Sequence, residues 1–124
     1  MDRGHAYKHG FDEDQWDRAK SEGAEILRDC ASKRTPISYS RFCAKLQTIP
    51  FEPHDPRLAH FLGQISTDEF NAGRPLITAM VVHKHDGQPG DGFFKLAESL
   101  GFDFDDREAF WISQLNALAD EGAT

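Results

Sequence analysis

The longest strongly apolar run in this chain is short: it extends from Leu76 to Val82 and contains Thr78. A helix that crosses a membrane needs about 20 consecutive apolar residues, so this run is too short to be one. The other apolar residues are dispersed, and many recur every three or four positions, which is the spacing of one face of an α-helix. The core must therefore form mainly between amphipathic helices.

Residues that begin and end helices divide this pattern into five segments. Acidic residues fill the first turn of the first segment, where the helix dipole favours them, and Asp55 followed by Pro56 is typical of the start of the third. Ser38 is the expected cap of the second segment, and Gly101 closes the fourth. The predicted helices cover about 12–31, Ser38 to before Pro50, Pro56 to before Gly73, 93–100, and Asp105 or Asp106 onward.

The apolar run itself is predicted to be a strand. It is short, contains Ile77 and two valines, and lies between residues 73–75 and a turn at Asp86 and Gly87. We therefore expect an α+β fold, a mostly helical single domain over residues 1–124 with about five helices and one short strand or hairpin. Residues 1–10 are expected to form a mobile tail. The predicted core consists of Phe42, Leu46, Leu58, Phe61, Leu62, Ile65, Ile77, Val81, Phe94, Leu96, Trp111 and Leu115.

Length and charge limit the possible functions. A chain of 124 residues with 39% hydrophobic residues suits one ordinary core. The net charge of -7 disfavours non-specific nucleic-acid binding, which needs cations to neutralise phosphates. However, residues 33–92 hold seven Lys or Arg against six Asp or Glu, whereas residues 93–124 hold two against seven. The nearly neutral middle also carries His54, His60, His83 and His85, so a contact with an anion is expected there.

The cysteines and the first residues bear on the cellular compartment. Cys30 and Cys43 fall on the apolar stripes of predicted helices, and a pair without further ligands does not make a disulfide framework. We expect both to be buried free thiols. Residues 1–9 lack the continuous apolar stretch of a secretory signal. The expectation is a cytoplasmic protein.

No motif in the sequence identifies an enzyme or a cofactor. His83 and His85 would point to the same side of a strand and so share a metal, but a third ligand is not visible, and a solvated hairpin tip explains them equally. The glycines at 87, 90 and 92 match neither a phosphate-binding loop nor a dinucleotide fingerprint. No G-x-S-x-G elbow is present. A non-enzyme without a cofactor or a metal is therefore favoured.

Four segments in the middle of the chain resemble a known DNA-binding fold. They are PISYSRFC at 36–43, RLAHFLG at 57–63, RPLIT at 74–78, and Val81–Val82 followed by a glycine-rich turn. Their order resembles the winged-helix DNA-binding part of alkylguanine-DNA alkyltransferases and alkyltransferase-like proteins. The resemblance implies a winged-helix-like centre over residues 36–92, with a helix-turn-helix and a wing.

The chain departs from that family at the reactive motif. The family's P-C-H-R sequence would fall near residues 78–81, which contain no Cys, His or Arg. The resemblance therefore does not extend to alkyl transfer. The same pattern also looks like small bacterial and phage proteins of unknown function, which favours a role in DNA transactions or defence.

The resemblance implies that the helix of residues 56–71 approaches duplex DNA. Arg57, His60 and Gln64 share one face of this helix, and Arg and Gln suit the edges of guanine and adenine. The same polar stripe is also what any solvated amphipathic helix shows. The candidate nucleic-acid-binding residues are Arg41, Lys45, Arg57, His60, Gln64, Lys84, His85 and Gln88.

The alternative function is an acidic protein-interaction module, such as an inhibitor, an immunity protein or a subunit of a complex that binds a partner protein. Residues 103–120 combine four acidic residues near the start with the aromatic residues Phe104, Phe110 and Trp111. This mixture suits a basic partner surface. Equally, these aromatic residues are those that a core needs.

Overall fold

The computed structural model of the protein describes residues 7–8 and 11–122. This part contains five α-helices and four strands of two residues each. The helices are α1 (Glu13–Ser32), α2 (Tyr39–Lys45), α3 (Pro56–Asn71), α4 (Asp91–Ser99) and α5 (Arg107–Gly122). The strands are β1 (Tyr7–Lys8), β2 (Phe11–Asp12), β3 (Ile37–Ser38) and β4 (Val81–Val82). The predicted α+β class with five helices is confirmed.

Side-chain caps fix the start of the central helices. Asp55 accepts a hydrogen bond from the backbone N–H of Arg57 (2.9 Å), and Pro56 occupies the first position of α3. Ser38 Oγ accepts from the N–H of Arg41 (3.2 Å) at the start of α2. Both predicted caps are confirmed.

Helix α2 is shorter than predicted, because the chain leaves the helix at Leu46. The carboxylate of Glu22 on α1 accepts from the backbone N–H groups of Gln47 and Thr48 at 3.0–3.1 Å. These bonds satisfy the extended backbone and place Ile49 in the core.

The prediction of one strand from Leu76 to Val82 is wrong for most of the run. Ile77–Met80 form a 3-10 helix, and only Val81–Val82 are extended. The 3-10 helix contacts α1, α3 and α5. Because helices surround the 3-10 helix, its backbone N–H and C=O groups form hydrogen bonds within the turn and with side chains rather than with a neighbouring strand. For example, Trp111 Nε1 donates to the carbonyl of Ala79 at 2.8 Å.

Two small sheets complete the fold. Strand β4 pairs in parallel with β3, with Ile37 opposite Val81 and Ser38 opposite Val82. Strands β1 and β2 form an antiparallel pair. Most of the tail predicted for residues 1–10 lies outside the described residues, and the two described residues in it belong to β1.

The core lies between α1, α2, α3 and the 3-10 helix. Trp16 is fully buried and packs edge-on against Phe61, with ring centroids 5.3 Å apart. Gly23 permits the close approach of α1 and α3, because a Cβ there would lie 3.0 Å from Cδ1 of Ile65. Ten predicted core residues are buried, whereas Leu96 and Leu115 are only half-buried. The prediction of buried free thiols is confirmed for Cys43, while Cys30 is half-buried.

The aromatic residues near the C-terminus pack mainly on one another. Phe104 and Phe110 stack with ring centroids 4.4 Å apart, and Phe102 lies 5.2 Å from Phe110. Arg107 holds this region to α4, since its guanidinium donates to Asp91 at 2.6 Å and lies over the ring of Phe94. No described helix combines the length and the apolar character that crossing a membrane requires.

Candidate functional site

A groove of about 930 Å³ opens beside α3. The start of α2, the segment after β4 and the start of α4 form its other sides. Its apolar lining includes Leu58, Leu62, Phe93 and Leu96. This volume lies within the range of about 300–1,000 Å³ that is typical of ligand-binding clefts.

Rings from two parts of the chain meet on one wall of the groove. Because Ser38 lies opposite Val82 in the parallel sheet, Tyr39 and His83 leave the sheet side by side. Their ring centroids are 4.8 Å apart, and the ring of His85 lies 5.4 Å from that of His83. We call Tyr39, His83 and His85 the ring wall. The short parallel sheet is therefore the element that builds it.

The segment after β4 is held as a tight turn. The backbone N–H of His83 donates to the carbonyl of Gln88, and the N–H of Gly87 donates to the carbonyl of His83, both at 2.8 Å. Gly87 has a φ of 66°, in the left-handed region that favours glycine. The turn thus positions Lys84 and His85 at the edge of the groove.

Tyr39 also ties this wall to the start of α4. Its hydroxyl accepts a hydrogen bond from the backbone N–H of Gly90 at 3.1 Å. A Cβ at Gly90 would lie only 2.8 Å from that hydroxyl oxygen, so a side chain there would displace the ring. Burial raises the pKa of Tyr39 although the Gly90 N–H opposes this shift, so the phenol stays neutral at physiological pH.

Helix α3 and the residues before it form another side of the groove. His54, His60 and Gln64 line this side. The carbonyl oxygen of Gln64 accepts from Nε1 of Trp16 at 2.8 Å, and Trp16 is at the centre of the core. Gln64 therefore has a structural role in addition to any role in the groove.

The acidic residues that line the groove are already paired with cations. Asp55 lies 2.7 Å from Arg57, Asp68 lies 3.2 Å from Lys20, and Asp91 lies 2.6 Å from Arg107. The hydrogen bonds from Arg57 hold the pKa of Asp55 below its ordinary value, and those from Arg107 and Lys95 do the same for Asp91.

Lys84 differs from the other cations near the groove. Lys20 is engaged with Asp68, whereas no carboxylate lies within ion-pair distance of Lys84 in the part of the chain that the structure describes. Its ammonium group, together with the histidines that line the groove, therefore gives the groove a capacity to meet an anion.

The predicted nucleic-acid-binding residues lie in four places. Four of them, His60, Gln64, Lys84 and His85, line the groove. Arg57 is tied to Asp55 by its Nε and Nη2 atoms and lies over the ring of Phe11, 4.6 Å from its centroid. Gln88 is in the turn but outside the lining, and Arg41 and Lys45 are exposed on α2, also outside it.

Sequence reasoning missed Tyr39 as a site residue. The signal that would have found it is the pairing of residues 37–38 with residues 81–82, which joins two segments far apart in the chain and leaves no local pattern. Gly90 was also missed as a lining residue, whereas His54 was named only as one of four histidines in a region where contact with an anion is expected. Among the described residues, no group of three His, Cys, Asp or Glu side chains has a geometry that could hold a metal ion.

Comparison with known proteins gives no assignment, because the chain matches no known protein family, no curated protein and no solved structure. The resemblance of residues 36–92 to winged-helix alkyltransferase-like proteins therefore stays a prediction.

Proposed function

We propose that this protein is a non-catalytic nucleic-acid-binding accessory protein whose groove holds an unpaired stretch of DNA. One observation carries the proposal: the ring wall lies beside Lys84 in a groove whose lining carboxylates are already paired with cations. Aromatic rings and imidazoles offer flat faces on which bases stack, and a lysine at the rim meets a phosphate.

The shape of the site favours a single strand over a duplex. A recognition helix must protrude to enter the major groove. In this protein His60 and Gln64 on α3 instead line the groove, which the ring wall also lines. Unstacked bases of a single strand fit such a groove, because they can be splayed away from the backbone.

The charge of the chain sets the expected strength. Each lysine or arginine that meets a phosphate releases counterions, which favours binding at low salt. With a net charge of -7 and few cations at the groove, binding should be modest and should weaken steeply as salt is added. A role in bacterial or phage DNA transactions or defence is part of the proposal and derives from the sequence resemblance.

The proposal is tested by fluorescence anisotropy at low salt with labelled single-stranded and duplex oligonucleotides of the same sequence. Wild type should bind the single strand more tightly. Tyr39→Ala should lose about 1–3 kcal/mol of binding free energy, which is typical for loss of one stacking platform. Lys84→Ala should weaken binding of all base sequences alike, because phosphate contacts do not specify sequence.

Arg18→Ala is the matched control for Lys84→Ala. It also removes one positive charge, but Arg18 is exposed on α1 and does not line the groove. It should bind as wild type does. Equal losses in the two variants, or tighter binding of the duplex, would contradict the groove as the site.

The alternative, an acidic protein-interaction module, has one feature in its favour. Two large apolar side chains are exposed, Phe70 at 36% and Ile112 at 44%. The acidic residues 103, 105 and 106, which precede Ile112 in the sequence, are also exposed. Against it, the aromatic anchors that it needs, Phe104 and Phe110, pack against each other. A stoichiometric protein partner that survives nuclease treatment during purification would favour this alternative.

A further inference from the structure

A second surface of the protein is basic although the whole chain is acidic. Residues 30–51 contain no Asp or Glu, but they contain Lys33, Arg34, Arg41 and Lys45. All four side chains are exposed. We call these four residues the basic surface.

The fold brings the four residues together where α1 ends and α2 runs past it. Lys33 caps the C-terminus of α1, and Arg34 follows it in a left-handed turn with a φ of 54°. Arg41 and Lys45 are four positions apart on α2, so they share one face of that helix. Helix α2 contacts α1.

The surroundings of Cys30 agree with this placement for three of the four residues. Burial and the neighbouring Asp29 raise the pKa of the Cys30 thiol, while Lys45, Lys33 and Arg41 act on it in the opposite direction. The thiol of Cys43, two positions after Arg41, is instead under the influence of Glu52 and Asp55. The basic surface is therefore on the side of α2 that faces the end of α1.

Helix stability does not account for all of these cations. Lys33 forms an i,i+4 ion pair with Asp29 at 3.0 Å, and Lys45 lies in the last turn of α2, where a cation is favourable. Arg41, however, lies in the first turn of α2, where the helix dipole disfavours a cation. No ion pair of Arg41 is present among the residues from 11 to 122. Its guanidinium is therefore available to an anion from outside the chain.

The basic surface and one side of the groove belong to the same helix. Tyr39 and Ser40 at the start of α2 line the groove, whereas Arg41 and Lys45 lie on α2 outside it. A strand that leaves the groove across α2 would reach the basic surface.

We propose that the basic surface binds the phosphate backbone of the nucleic acid that flanks the stretch held in the groove. This inference rests on the proposed function, and it extends the footprint from the groove to the junction of α1 and α2. A backbone, unlike a base, is a repeating anion, which suits a row of exposed cations without aromatic partners.

The test compares oligonucleotides of about 4 and about 16 nucleotides, the span of site sizes found among single-strand-binding modules. Arg41→Gln and Lys45→Gln should each weaken binding of the long strand about 3- to 10-fold, and each should reduce the slope of log K against log salt by about 0.7. Both variants should bind the short strand as wild type does. Arg18→Gln, which removes the same charge from α1, should leave both affinities unchanged.

The outcomes separate this inference from the proposed function. If Tyr39→Ala loses binding but Arg41→Gln and Lys45→Gln do not, the basic surface is refuted and the groove stands. If Arg41→Gln and Lys45→Gln weaken the long strand while Tyr39→Ala does not, the basic surface stands without the groove. Equal losses on short and long strands would refute the basic surface as a flanking site. Charge-dependent binding of anionic phospholipid vesicles with no binding of DNA would overturn both.

Discussion

Glu69 is a buried charged residue that forms ion pairs with two arginines. Its side chain is 6% exposed and lies 2.7 Å from Arg74 and 3.2 Å from Arg28. Burial by itself would raise the pKa of this carboxyl, but the two arginines outweigh it, so the pKa lies below its ordinary value of 4.5. Glu69 thereby connects α1 and α3 to the segment that follows α3.

Glu69→Gln should lower the free energy of unfolding at pH 7 by about 1–3 kcal/mol, because hydrogen bonds to a charged group are lost. Since the folded pKa is depressed, the contribution of the ionised carboxylate is complete above about pH 5 and is lost as the pH falls below 4.5 through the folded pKa. Urea titrations at several pH values measure this. The difference between wild type and Glu69→Gln should shrink in acid, and a constant difference would contradict the account.

Gln64 was predicted to contact a DNA base, but it also forms a hydrogen bond to the protein core. Its place on the polar stripe of α3 suggested a base contact, whereas its carbonyl oxygen in fact accepts from the indole of buried Trp16. Gln64→Leu should cost about 1–3 kcal/mol of stability, because the indole N–H would lose its partner. Chemical denaturation checks this, and Gln88→Leu, outside the groove, is the control. Unchanged stability in Gln64→Leu would show that this bond contributes nothing.

Site residues that depend on local sequence could be anticipated, and those that depend on long-range pairing could not. His60 and Lys84 were identified from an amphipathic stripe and a turn, and both line the groove. The local sequence around Tyr39 does not indicate a site residue, because Tyr39 joins the groove through its contact with His83, 44 positions away. Arg57 was a candidate for contact with DNA because of its residue type, but only the structure reveals that it forms an ion pair with Asp55.

The start of α4 and the start of α2 meet at one side of the groove, where the N–H of Gly90 donates to the hydroxyl of Tyr39. Gly90 and Gly92 both lie there, but their surroundings differ: a Cβ at Gly90 would lie 2.8 Å from the Tyr39 hydroxyl oxygen, whereas a Cβ at Gly92 would meet nothing within 4 Å. The two glycines therefore make a matched pair for testing whether the contact of Tyr39 with α4 matters.

Gly90→Ala should displace Tyr39, lower stability and weaken binding of single-stranded DNA. Gly92→Ala should leave binding unchanged and raise stability by about 0.5–1 kcal/mol, because alanine favours a helix more than glycine does. Thermal unfolding and anisotropy measured on both variants provide the check. Equal behaviour of the two would mean that the hydroxyl contact does not hold the ring wall.

The predicted elements were right where caps and apolar spacing agree, as in α3, whose bounds follow from Asp55, Pro56 and Gly73. The prediction was wrong where apolar residues follow one another without the spacing of a helix or a strand. Leu76–Val82 has the composition of a strand, but four of its residues form a 3-10 helix because α1, α3 and α5 enclose them. Composition does not reveal whether a neighbouring strand is available for pairing.

At the scale of the whole molecule, charge is divided between regions. The basic surface and the groove lie in the middle of the sequence, whereas residues 93–124 hold seven of the acidic residues. Cations and histidines are therefore concentrated at the groove, where an anion would bind. Four histidines line the groove, together with Lys84, Lys20 and the paired aspartates 55, 68 and 91.

Replacing both His83 and His85 with glutamine should weaken single-strand binding, because two of the three flat rings of the ring wall are lost. Fluorescence anisotropy at low salt measures the affinity. Arg18→Gln, at an exposed position outside the groove, is the control and should bind as wild type does. Unchanged affinity in the double variant would contradict the ring wall as a stacking surface.

An NMR titration of the labelled protein with a single-stranded oligonucleotide at low salt tests whether the groove is the binding site. The largest shifts should fall on groove residues, with Tyr39, His60, His83 and Gly90 among them, and residues 103–120 should shift little. No shifts at all, or shifts concentrated on residues 103–120, would contradict the groove as the binding site.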